Sequence, residues 1–104
     1  MKNIINRIPE KFEELLASVS SMVSFCKYAK VVEKQQSACR IVFNVKNFGS
    51  SVNKNQVKGL YIRNDFSENQ DTVVVFLEDC IGYPQVLELN IKQTFYLCLS
   101  LLEE

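Results

Sequence analysis

Histidine is absent from all 104 residues. That removes most Ser-His-Asp triads, most zinc sites and the commonest general base together. Three glycines and two prolines are too few for a collagen-like or loop-dominated scaffold. Net charge is absent too: 12 basic residues stand against 12 acidic ones. This excludes a disordered polyelectrolyte and argues against a general nucleic-acid coat. No run approaches the ~18 apolar residues of a membrane span. The opening MKNIINRIPEKFEELLAS is interrupted by Arg7, Glu10, Lys11, Glu13 and Glu14 and so lacks the apolar stretch of a signal peptide. The expected location is therefore the cytoplasm. There is no phosphate loop, no G-x-G-x-x-G and no G-x-S-x-G. Cysteines 26, 39, 80 and 98 form no C-x-x-C pair, whereas zinc ligands normally come in close pairs. They read as small buried hydrophobes, and a nucleophilic cysteine would want an activating histidine nearby. No enzyme, cofactor or resident metal is expected.

What is present suits one domain spanning residues 1–104. An apolar fraction of 47% at this length supports one hydrophobic core without staples. Phe12, Leu15, Leu16, Val19, Met22, Val23 and Cys26 recur at helical spacing, predicting a helix from 9 to about 32. Pro9 suits its first position, Glu10, Glu13 and Glu14 its N-terminal dipole, and Lys27, Lys30 and Lys34 its other end. Residues 2–8 fit either an extra turn or an extended lead-in. Beyond the polar break at 33–37 the period changes to two. Strands are expected over 38–47, 56–63, 72–77 and 85–89, with Gly59 marking a bulge or a close packing contact. The run TVVVFL reads as the central strand, buried on both faces. Asn90 and Gln93 have capping-box spacing before a C-terminal helix of 13 or 14 residues, along which Ile91, Phe95, Cys98 and Leu102 share a face. Short links favour an antiparallel meander. The expected class is α+β: an N-terminal helix, a four-stranded antiparallel meander sheet, and a C-terminal helix packed on the sheet.

The zero net charge hides an asymmetry. Residues 1–63 hold eleven basic side chains against four acidic, and residues 64–104 one basic against eight acidic. The stretch 64–79 alone carries five carboxylates, Asp65, Glu68, Asp71, Glu78 and Asp79, and no cation. One reading is solvated loops whose charge is neutralised across the sheet. A second is an acidic docking surface for a basic protein, which would act on association rate and specificity. A third, a divalent cation at Asp65, Glu68 and Asp71, lacks the Gly and terminal Glu of a calcium loop. Tyr83, in the turn Gly82-Tyr83-Pro84, is either a ring packed on the sheet edge or a rigid anchor beside the carboxylates. Glu78 and Asp79 are neighbours on a strand, which makes them a poor acid–base pair. The partner-binding candidates are thus Asp65, Glu68, Asp71, Glu78, Asp79 and Tyr83. In the basic half, Lys46, Lys54, Lys58 and Arg63 lie near Phe48 and Tyr61, a mixture that can hold single-stranded RNA on a sheet. The ribonucleoprotein motif is missing, however, and Tyr61 alternates with apolar neighbours as a core residue would.

The segments TVVVFL, EDCIGYP, VLELN and IKQTFYLCLSLLEE, about the last third of the chain, resemble small bacterial immunity proteins of the contact-dependent growth inhibition type. The resemblance lies in size, style and charge layout. It implies a non-enzymatic inhibitor that binds one cognate toxin domain, basic and nuclease-like, and covers its active site. The balanced net charge departs from the acidic total that such a partner would favour. Two other functions fit the same features: a phage-type inhibitor of a host defence complex, and a small nucleic-acid-binding module using the basic first half.

Overall fold

The computed structural model describes residues 7–44, 57–64, 71–79 and 84–102, the side chain of Asp79 excepted. Two helices and five strands follow in the order α1 (Phe12–Ser24), β1 (Ala29–Gln35), β2 (Ala38–Phe43), β3 (Val57–Arg63), β4 (Thr72–Asp79), β5 (Pro84–Asn90) and α2 (Ile91–Leu102). The strands form one antiparallel sheet in chain order, β1-β2-β3-β4-β5. The expected α+β meander is present, with five strands rather than four.

The fifth strand comes from the far end of the expected N-terminal helix. That helix spans 12–24, not 9–32. Lys11 is its extended N-cap, and Glu14 takes the Glu10 N–H at 2.9 Å. This bond from the Glu10 backbone holds the Glu14 carboxyl below its ordinary range, with Arg7 and Lys11 adding smaller effects. At the other end four serines weaken the helix, and the Ser24 hydroxyl donates to the Ser21 carbonyl at 2.7 Å. Phe25 then closes the helix, its N–H donating to Met22 O at 3.2 Å while the Cys26 N–H donates to Val23 O at 2.9 Å. No basic residue occupies the last turn. Lys30 and Lys34 lie on β1 instead, where β-branched Val31 and Val32 favour extended backbone. A two-residue turn, Gln36-Ser37, joins β1 to β2.

Alternation along the strands sends Cys39, Ile41 and Phe43 of β2, Leu60 and Ile62 of β3, and Val73 and Val75 of β4 into one core with both helices. α1 packs on α2 and β1, and α2 packs on β4 and β5. α1 contributes Leu15, Leu16, Val19, Met22 and Val23; α2 contributes Ile91, Phe95, Cys98 and Leu102. The capping box has formed at α2: Gln93 N–H donates to Asn90 Oδ1 at 2.7 Å, and Asn90 N–H donates to Gln93 Oε1 at 2.9 Å. The Tyr28 hydroxyl donates to the Leu101 carbonyl at 3.1 Å, tying the chain after α1 to the last turn of α2.

Five strands put β3, not β4, at the centre. Val73, Val74 and Val75 are buried as expected of TVVVFL, but Phe76 and Leu77 are only half-buried. Gly59 does sit beside a bulge, since the β3–β4 register shifts between Val57 and Gly59. The alternative, a close packing contact there, is not required: a Cβ would lie 3.6 Å from the Ile41 carbonyl oxygen and 4.0 Å from Glu78 Cβ, ordinary distances.

Candidate functional site

Both helices lie on one face of the sheet, and no described element covers the other. Register alone decides what that open face presents. One transverse row pairs Glu33 with Arg40, Arg40 with Tyr61, Tyr61 with Phe76, and Phe76 with Val86, crossing all five strands. On one side of it runs Lys30, Val42, Gly59, Glu78 and Pro84; on the other, Gln35, Ala38, Arg63, Val74 and Glu88.

The middle row is connected. The Tyr61 and Phe76 rings lie 6.0 Å apart between centroids at a 40° tilt. The Arg40 guanidinium carbon sits 4.5 Å from the Tyr61 centroid, within cation–π range. Its Nε is 3.6 Å from Glu33 Oε1, and Gln35 Nε2 donates to the other Glu33 oxygen at 2.8 Å. Tyr61 therefore belongs to this face and not to the core under the helices. Val86 is 58% exposed and Val42 41% exposed, so the apolar strip is open at both flanks. Lys58, Tyr61, Phe76 and Pro84 help to line a shallow depression of about 620 Å³.

Of the acidic candidates, Asp71 is exposed just before β4, and Glu78 is exposed near the strand's other end, 3.9 Å from Lys58 Nζ. Seven residues of extended chain separate Asp71 from Glu78 by about 23 Å, so these two carboxylates do not share one cluster. Asp79 is the last residue of β4, opposite Val57. Asp65, Glu68 and Tyr83 lie outside the described residues, as do Lys46, Phe48, Lys54 and Cys80. The cation reading for Asp65, Glu68 and Asp71 thus rests on two residues that are not described. Among the described residues no three potential metal ligands come together.

Cys39 and Cys98 are buried and Cys26 half-buried; all three are free. Cys26 lies just beyond α1 rather than on its apolar face, and Cys39 lies within β2. Burial, with a smaller contribution from Cys39, pushes the Cys98 thiol up to about 12. Burial raises Cys39 as well, partly offset by Lys34. Both are held as neutral thiols, packing groups rather than nucleophiles.

Of this row, sequence reasoning singled out Tyr61 alone and missed its alignment with Arg40, Phe76 and Val86. The one available signal was the alternation around Tyr61, read to the wrong face. The chain matches no family model, no curated protein and no solved structure. No helix among the described residues is long and apolar enough to cross a membrane.

Proposed function

We propose that this chain is a non-enzymatic protein-binding domain, an inhibitor of the immunity class, that docks a basic toxin-like domain through the open sheet face. The observation that carries the reading is the in-register row Arg40–Tyr61–Phe76–Val86, aromatic and apolar at its centre and uncovered by any described element. Rigid rings with an arginine beside them are the groups that dominate protein interfaces. Glu78 and Glu88 lie on the β4–β5 side of this face, where a cationic partner would be steered in.

Nucleic acid fits the same face less well. Lys30, Arg40, Lys58 and Arg63 are offset there by Glu33, Glu78 and Glu88, so no electrostatic funnel for phosphates forms. Arg40 already occupies one side of the Tyr61 ring, a place a stacked base would need.

The test is a photoreactive side chain at Val86, compared with one at exposed Lys92 on α2, in cells that make the protein. One protein other than the chain itself, cross-linked from position 86 and not from 92, is expected. Once purified, it should bind the wild-type chain one to one and lose its activity. A single-stranded RNA adduct at 86, or adducts from 92 alone, would overturn the assignment.

A further inference from the structure

Sequential strand order turns the charge asymmetry of the sequence into a gradient across the open face. The β1–β3 side carries Lys30, Arg40, Lys58 and Arg63 against Glu33, and the β4–β5 side carries Glu78 and Glu88 without a described cation. A face divided in this way is complementary to itself when turned over. We propose that a second copy of this chain occupies the open face when no other partner does, in a weak two-fold dimer that masks the docking surface.

The rows decide which two-fold axis is possible. An axis lying across the strands would set each strand over itself and place Arg40 over the second copy's Arg40, like charge on like. An axis running along the strands between β3 and β4 keeps the rows in register. It sets β3 over the other β4, and β2 over the other β5. Tyr61 then faces the second copy's Phe76, Arg40 faces its Val86, Gly59 with neighbouring Lys58 faces its Glu78, and its Glu88 lies between Arg40 and Arg63. No charged group is set directly over one of its own sign, and the contact is isologous. Stacked sheets cross at about 30°, so the fit is best at the Tyr61–Phe76 centre.

Size sets the strength. Four strands about 4.8 Å apart, each about six residues long, present roughly 20 by 20 Å. That is well under the ~800 Å² per partner of a stable complex. Association in the micromolar range or weaker is expected, weak enough to yield to a tighter partner. The inference shares only the choice of face with the proposed function, and it is measured on the chain alone, so failure to find an inhibited partner leaves it intact.

The experiment is sedimentation equilibrium of the full chain from about 10 µM to about 1 mM, at low salt and at about 0.5 M salt, where surface charges are screened. A monomer–dimer equilibrium weakened by salt is expected. Phe76→Asp should weaken it at least tenfold, about one apolar anchor's worth. Arg40→Glu and Glu88→Arg should each weaken self-association several-fold, since each sets like charges together. An equimolar mixture of those two variants should regain it, because each supplies the charge the other lost. A misfolded variant could not give that rescue. A wild-type chain that stays monomeric throughout, or association indifferent to both salt and Phe76→Asp, would overturn the proposal. Failure of two folded variants to rescue each other would do the same.

Discussion

The two faces of one sheet are built from alternate residues of the same strands, yet they obey different rules. On the helix-covered face, Ile41, Ile62, Val73 and Val75 are completely buried, and each meets the helices through shape alone. On the open face their immediate neighbours Arg40, Tyr61, Val74 and Phe76 range from buried to exposed; a cation–ring contact joins Arg40 to Tyr61, a ring pair joins Tyr61 to Phe76, and an ion pair joins Arg40 to Glu33. Burial thus specifies the fold from one side, leaving the other side free to carry recognition. A one-residue slip of any strand would exchange the two sets, so the packing of the covered face also holds the open row in line.

The sharpest way to test that division is to remove one ring from each face. Phe95 is 1% exposed between the sheet and α1, and Phe95→Ala should cost about 3–5 kcal/mol, enough to unfold a domain of ordinary stability. Phe76→Ala deletes the same atoms from a half-buried site and should cost about 1–2 kcal/mol, with the cooperative transition kept. Urea denaturation followed by circular dichroism measures both. Equal losses would mean that the open face is as much core as the other.

The boundary between faces continues into α2, whose start is fixed by the reciprocal Asn90–Gln93 bonds. Asn90→Ala leaves one helix N–H without its acceptor and should cost about 1 kcal/mol. Gln93→Ala, which loses the other bond, should cost less, because alanine is a good residue inside a helix and a poor one at the N-cap. Denaturation midpoints rank the two.

The covered face should also respond to alkali. Cys98 ionises at an ordinary 9.0 when unfolded, and at about 12 in the fold because burial disfavours the thiolate. Above pH 9 the unfolded chain loses this proton while the folded one keeps it, so stability falls as pH rises between those values. One unit above 9, this group alone costs about 1 kcal/mol. Cys39 acts in the same direction. Stability measured from pH 8 to 10 should fall less steeply in Cys98→Ala, whatever that variant's starting value.

Much of the covered face was legible locally. The spacing of Leu15, Leu16, Val19 and Met22, the alternation of Ile41 with Phe43, and the Asn90–Gln93 pair each sit within a few residues of chain. β1 was not legible, because the steps from Phe25 to Tyr28 and from Tyr28 to Val31 and Val32 are three or four residues, as along a helix, and Lys27, Lys30 and Lys34 suit a helix end. Only the turn made at Phe25 and pairing with β2 settle it. The open row was invisible for a different reason. Its members stand 21, 15 and 10 residues apart and are brought abreast by register, a property no short window carries. Alternation gives Tyr61 a face but not which of the two faces the helices take.

Gly59 offers the finest probe, with the smallest expected effect. It stands in the open-face row between Val42 and Glu78, at the edge of the bulge. A glycine inside a strand costs roughly 0.5–1 kcal/mol of chain entropy relative to alanine, so its presence asks for a structural need. Space does not supply one, since an added methyl would sit at ordinary distances from the Ile41 carbonyl and Glu78 Cβ. Gly59→Ala should therefore be neutral or stabilise by up to about 0.5 kcal/mol, with an unchanged denaturant slope. A loss above about 1 kcal/mol would mean that the bulge depends on glycine's backbone freedom. The open face would then owe its shape to backbone as well as to side chains.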